Sequence, residues 1–134
     1  MRESLMVTGR RLVLSLEPGD EVLASIGDAC RRHGFEQAVV VVLSGALRTA
    51  RLIGTNRPEG DPELPLAVHV HVALGEKGSG ARAVAGHLLS GTTHYVVEVV
   101  LDEVLSPRFY REATIATYGV PALTFAPPPN DRLQ

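Results

Sequence analysis

The chain has 134 residues, enough for one domain with a proper core and too few for two domains of ordinary size. Apolar residues make up 45%, charged residues 21%, and the net charge is −2, which excludes the basic surplus typical of a general nucleic-acid binder. Cys30 is the single cysteine, so an internal disulfide is excluded and a reducing cytoplasm is favoured. MRESLMVTGRR contains no apolar signal core and no apolar run approaches a membrane span. We therefore expect a cytoplasmic protein with no membrane partner.

The first elements are a strand and a helix. Residues 6–16 alternate towards their end and predict a strand, which EPGD then breaks. Apolar residues recur at helical spacing in 21–33, with Asp20 as the expected N-cap and Gly34 as the expected C-cap. This is the main helix, and its apolar stripe needs a sheet to pack against.

Strands dominate the middle of the chain. The β-branched run 38–43 predicts a strand covered on both faces, SGAL a turn, and 47–54 the next strand. Residues 55–65 contain three prolines and predict a loop. Residues 66–74 alternate strictly, which predicts a strand that pairs as a hairpin with 81–89.

The last part continues the same pattern. After SGTT, residues 94–105 predict a long strand; beyond Pro107 we expect one more strand in 108–119 and a short final one in 119–125. The expected organisation is a single α+β domain over residues 1–126, with a curved, mostly antiparallel sheet and one main helix. Residues 127–134 are expected to form a flexible tail.

Three of the five histidines lie within residues 67–88. His69 and His71 leave the same face of a strand, with Cα atoms about 7 Å apart. The hairpin brings His87 towards them, nearer to His69 than to His71. Three imidazoles suit Zn²⁺ or another divalent transition metal. The alternative is an alternating strand whose polar face simply meets solvent. His94 and His33 are interpreted as structural.

Glu98 lies inside the apolar run YVVEVVL. Val96 and Val100 share its face, which predicts partial burial. Its carboxylate can orient a metal-binding histidine from behind, or accept hydrogen bonds from backbone or hydroxyl groups, and we favour the second role.

Several segments together resemble a known family. They are the PGD-opened helix ending in HG, LSGAL at 43–47, HVHVAL at 69–74, GHLLSG at 86–91 and YVVEVVL at 95–101. In this order they resemble the PPC (plant and prokaryote conserved) domain, of the stand-alone prokaryotic type. The resemblance implies a curved antiparallel sheet, a homotrimer, and a metal on His69, His71 and His87. The chain departs from the family at 55–65, where members usually have a longer stretch with an additional strand.

The family's DNA-binding role is expected to transfer poorly. Plant members carry an AT-hook, and no RGRP core occurs in this chain. The DNA-binding residues, if there are any, are unknown. We expect a DNA-associated or regulatory homotrimeric module with a histidine metal site, and no enzyme activity. The alternatives are a metal-dependent enzyme, whose metal has an open fourth position, or a small-molecule-binding protein that uses the same cluster.

Overall fold

The computed structural model describes residues 3–53, 68–78, 80 and 82–126. One α-helix and six strands follow each other, and every strand pairing is antiparallel. This confirms the predicted α+β class and single domain with one main helix. In chain order the elements are β1 (Val7–Leu16), α1 (Val22–His33), β2 (Ala38–Ile53), β3 (His71–Gly75), β4 (Ala83–Ser106), β5 (Phe109–Ala113), a short 3₁₀ helix (Ile115–Thr117) and β6 (Pro121–Phe125).

Strand β4 organises the main sheet. It is 24 residues long and pairs with β2 along one edge from His87 to Glu103. Along the opposite edge, its second half pairs with β1 and its first residues pair with β3. Strands β5 and β6 form a separate two-stranded sheet. Strands β1, β2 and β3 are therefore all aligned on the long central strand β4.

The core lies between α1 and one face of the main sheet. Val97, Val99 and Leu101 alternate along β4 and are buried against Val22 and Ile26 of the helix. Each such buried aliphatic side chain contributes about 1.5–3 kcal/mol. The helix thus covers one face of the sheet.

The N-cap of the helix lies one residue later than the sequence predicted. Glu21 is the N-cap: its carboxylate accepts hydrogen bonds from Ala24 N at 2.6 Å and Gly91 N at 2.9 Å. Asp20 instead accepts from Glu17 N at 2.8 Å and closes the preceding turn. Gly34 ends the helix in the left-handed region, as predicted.

Two predicted turns do not exist. SGAL lies inside β2 and SGTT lies inside β4, so each pair of predicted strands is one continuous strand. The turn-forming residues bend the strands instead of reversing them. Gly45, with φ of 148°, passes so close to β4 that a Cβ would lie 2.2 Å from Val96 O. The pairing register shifts beside it.

The predicted coverage of residues 38–43 on both faces was also wrong for the single chain. Val40, Val41 and Val42 are 36%, 49% and 43% exposed. The reason is that α1 covers only one face of the sheet, so part of this apolar run has nothing packed against it.

Other predictions lie partly outside the described residues. The predicted loop 55–65 and the predicted tail 127–134 are outside them. The predicted strand 66–74 is described from residue 68 onward, and its regular pairing starts at His71. Within the described ranges, no helix combines the length and apolarity that crossing a membrane requires.

Candidate metal centre

His69, His71 and His87 come together where β3 meets β4. His71 lies directly opposite His87 in the antiparallel register, and His69 precedes it on the same face. The ring centroids are 4.4 Å apart for His69 and His87, 5.0 Å for His69 and His71, and 5.1 Å for His71 and His87. The predicted hairpin therefore brings the three rings together. The sequence placed His87 nearer to His69 than to His71, whereas in the structure both rings lie next to His87.

His87 is the buried member of the cluster. His87 is only 2% exposed, and neither its Nδ1 nor its Nε2 has a hydrogen-bond partner among the described residues. A buried polar atom without a partner costs about 1–3 kcal/mol. A buried imidazole of this kind needs a partner, and a bound metal ion is one that its nitrogens accept.

The surroundings of the cluster lower the pKa of two of its imidazoles, those of His69 and His87. Partial desolvation of its ring by the packed neighbours, followed by the charge of Arg111 and the rings of His87 and His71, lowers the pKa of His69 to about 4, although the residue as a whole is exposed. Burial, His71 and Arg111 also lower the pKa of His87. Neutral imidazole is the form that binds a metal, so protons compete little for His69 near neutral pH.

The dimensions of the cluster fit one ion. One nitrogen from each ring can be chosen so that all three lie within 4.8 Å of one another. Three nitrogens around a tetrahedral zinc ion at 2.0–2.1 Å are about 3.3 Å apart, a modest contraction from this arrangement. Three protein ligands leave a fourth position for a water or another ligand.

Gly86 allows the close packing behind His87. A Cβ at this residue would lie 2.9 Å from Ile53 O of β2. The absence of a side chain at Gly86 thus admits the backbone of the neighbouring strand. The position of His87 therefore depends on a glycine beside it.

The other polar candidates lie apart from the cluster. Glu98 is aligned with Ser15 and Ser44 across the sheet and is exposed in the single chain, and its carboxylate forms no hydrogen bond with another described residue. The partial burial expected for it is not observed. His94 stacks on Tyr95 at 3.8 Å, and His33 is exposed at the end of α1.

Two features of the site were not predicted from the sequence. The positive charge of Arg111 on β5 contributes to lowering the pKa values of His69 and His87. A cavity of about 480 Å³ also adjoins His69 and His71. Neither feature could be predicted from a local motif, because each involves residues that are distant in the sequence and come together only in the tertiary fold.

The fold and the cluster define a one-helix α+β domain with three converging histidines. Residues 4–66 match the model of the Plants and Prokaryotes Conserved (PCC) domain, the family called PPC above. This match over residues 4–66 confirms the predicted resemblance to the PPC domain. A comparison with curated proteins finds no match.

Solved structures share the fold over nearly the whole chain. A PPC protein from Pyrococcus horikoshii is 24% identical, with a TM-score of 0.71, covering 90% of this chain and 95% of that one. A metal-containing protein from Archaeoglobus fulgidus is 20% identical, with a TM-score of 0.68 and coverage of 92% and 99%. A Bacteroides thetaiotaomicron protein provisionally assigned as DNA binding is 18% identical, with a TM-score of 0.66 and coverage of 91% and 99%. At these identities the likeness establishes the fold.

Proposed function

We propose that this protein is a metal-binding PPC module, in which His69, His71 and His87 hold Zn²⁺ or another divalent transition metal. The observation that carries the proposal is the buried His87 ring, whose two nitrogens have no partner while two further imidazoles face it. The similarity to the metal-containing Archaeoglobus fulgidus protein supports it.

Measuring the metal content of the purified protein distinguishes a metal site from three histidines that merely face solvent. The purified protein should hold close to one equivalent of metal per chain after dialysis against Zn²⁺, and His69→Ala should lose most of it. His69 is exposed, so its removal should leave the fold intact. His33→Ala is the matched control, because His33 is also exposed but lies at the far end of α1. Equal metal content in all three proteins would contradict the proposal.

The module is proposed to act as a homotrimer in regulation, in the reducing cytoplasm. The uncovered apolar face of the main sheet and the single cysteine support this assignment. DNA association has weaker support: a structural neighbour carries that provisional assignment, while the net charge here is −2. A gel shift at rising salt tests it, since a phosphate-binding surface should lose affinity steeply as salt increases.

Glu98 is proposed to act in the assembled protein. In the single chain it is exposed between Val96 and Val100. Burial of this face against another subunit would give its carboxylate a partner, either a hydroxyl or backbone group or a histidine of the metal site.

A second candidate function is ligand binding or catalysis at the metal. The cavity beside His69 and His71 favours it, because a metal with an open fourth position next to a cavity suits Lewis-acid chemistry or a bound hydroxide.

A further inference from the structure

A cavity of about 480 Å³ adjoins the histidine cluster, and its volume is within the range of small-molecule sites in proteins. His69 and His71 form part of its wall, whereas the buried His87 is not among the described residues that line it. A metal held by the three rings would therefore be reached from the cavity past His69 and His71. Its open fourth position would be available to a molecule in the cavity.

The rest of the described wall is mostly aliphatic, and part of it adjoins the core. Leu43 is aligned with the core residue Val99, and Gly45 with Val97, so this part of the wall faces the same side of the sheet as the core. An apolar ligand would gain free energy by leaving water against such a wall. Its aliphatic side chains include those of Val40, Val41, Leu43, Leu47, Val72 and Leu74.

The composition of the cluster determines which charge the fourth ligand of the metal should carry. The described cluster contains three histidines and no Asp or Glu, and neutral imidazoles leave a divalent ion with its full charge. An anionic donor atom is therefore favoured at the fourth position.

The wall of the cavity indicates which anionic donor fits. Besides the two histidines, Ser44 is the one polar side chain among the described residues of the wall. A carboxylate or phosphate on the metal would leave further oxygens beside this aliphatic surface with few side-chain donors, which is costly. A thiolate carries its charge on one polarizable atom, needs no further hydrogen bond and is a preferred ligand of Zn²⁺.

We propose that the cavity binds a small aliphatic thiol, whose sulfur takes the fourth position on the metal and whose alkyl chain lies against the aliphatic wall. This inference rests on the proposed metal site. On binding, the S–H bond breaks, and the sulfur keeps the electron pair and donates it to the metal. The proton passes to the solvent, a water leaves the fourth position, and no oxidation state changes.

Cobalt(II) substitution tests the inference, because a sulfur-to-cobalt charge-transfer band in the near ultraviolet appears only when sulfur enters the coordination sphere. Without oxygen, butane-1-thiol should produce this band. It should bind about tenfold more tightly than ethanethiol, because the two thiols have similar acidity and two further methylenes leave water. Butan-1-ol, which has the same alkyl chain without the thiol, should leave the spectrum unchanged. Pentanoate, with a carboxylate on that chain, should bind at least about tenfold more weakly than butane-1-thiol.

A substitution in the wall locates the alkyl chain. Ala73 lines the cavity and lies two residues after His71, on the same face of β3. Ala73→Phe should narrow the cavity and remove most of the preference for butane-1-thiol over ethanethiol. Ala83→Phe is the matched control, because Ala83 is also exposed and pairs with Gly75 in the same hairpin, but is not among the residues of the wall. It should keep the preference of the wild type.

The outcomes distinguish this inference from the proposed function. Failure of the folded protein to bind Co²⁺ would overturn both. Stoichiometric Co²⁺ that shows no charge-transfer band with butane-1-thiol, or pentanoate that binds as tightly as this thiol, would overturn the thiol site alone. Equal affinities for the two thiols, or an Ala73→Phe protein that behaves like Ala83→Phe, would overturn the role of the cavity. Circular dichroism and Co²⁺ stoichiometry, measured before and after thiol is added, verify that each variant keeps its fold and its metal.

Discussion

His87 shows most clearly how a single residue departs from ordinary core chemistry. It occupies a buried position where an aliphatic side chain would pack without cost, yet it places two polar nitrogens there without partners. The neighbouring glycine is required for β2 to approach, so the surroundings are built closely around this ring. A structural histidine would be expected to donate or accept at least one hydrogen bond.

The Arg10–Glu103 pair shows the opposite case, a charged group that is fully satisfied. Arg10 donates to Glu103 through Nε at 2.8 Å, Nη2 at 2.6 Å and its backbone N at 3.1 Å. Its guanidinium also lies 4.8 Å from the centre of the Phe35 ring. These hydrogen bonds and the charge of Arg10 lower the pKa of Glu103 to about 2.

This pair predicts a specific loss of stability in acid. Because the folded-state pKa lies below the unfolded value of 4.5, the contribution is complete above pH 4.5 and disappears as pH falls towards 2. Urea unfolding of the wild type and Glu103→Gln checks this. The difference in their unfolding free energies should shrink over that interval, since other groups cancel in the comparison. A constant difference from pH 6 to pH 2 would contradict the assigned cause.

At the scale of elements, the long strands β2 and β4 bend without being interrupted, and Gly45 allows the bend in β2. Gly45→Ala should be strongly destabilising, by about 3 kcal/mol or more, because it combines an unfavourable φ with a Cβ overlapping Val96 O and Val97 Cα. Gly75→Ala is the matched control, since nothing lies within 4 Å of the added Cβ at the end of β3. Chemical denaturation measures both; equal stabilities would mean that β2 does not pass β4 this closely.

The sequence predicted the elements better than their connections. Helical spacing identified α1 and Gly34, and strict alternation identified the strand that begins at His71. The turn residues in SGAL and SGTT were misleading, because glycine and serine serve equally well at a reversal and at a bend where two backbones approach closely. Only the partner strand distinguishes the two cases, and local sequence does not contain it.

The same limit applies to the candidate site. The hairpin between β3 and β4 is local, so the three histidines could be brought together from spacing alone. The cavity wall on β2 could not, since β2 meets this region through a pairing with β4 that spans many residues. The influence of Arg111 could not either, because β5 belongs to a separate two-stranded sheet. The three histidines could thus be predicted from the sequence, whereas the residues that surround them could be identified only from the tertiary structure.

At the scale of the whole molecule, the face of the main sheet away from α1 remains uncovered. Val13 and Val42 flank Val100 in register and are 65% and 43% exposed, and Val96 further along is 40% exposed. An apolar face of this kind usually marks an interface. The proposed homotrimer would use it and would bury Glu98 as well.

A charge on this face tests the assembly. Light scattering should give about 43 kDa for three chains of 14.3 kDa. Val96→Glu should shift the mass towards 14.3 kDa, because a carboxylate without a partner is costly to bury. Ala24→Glu adds the same charge on the exposed side of α1 and should leave the mass unchanged. A monomeric wild type, or a trimer indifferent to Val96→Glu, would refute this use of the face.

Anomalous diffraction at the zinc edge from crystals grown with Zn²⁺ tests the central claim most directly. We predict one peak per chain, with nitrogen atoms of His69, His71 and His87 at about 2.0–2.1 Å from it. Crystals in which these three rings surround no anomalous peak, while zinc binds elsewhere or nowhere, would contradict the account.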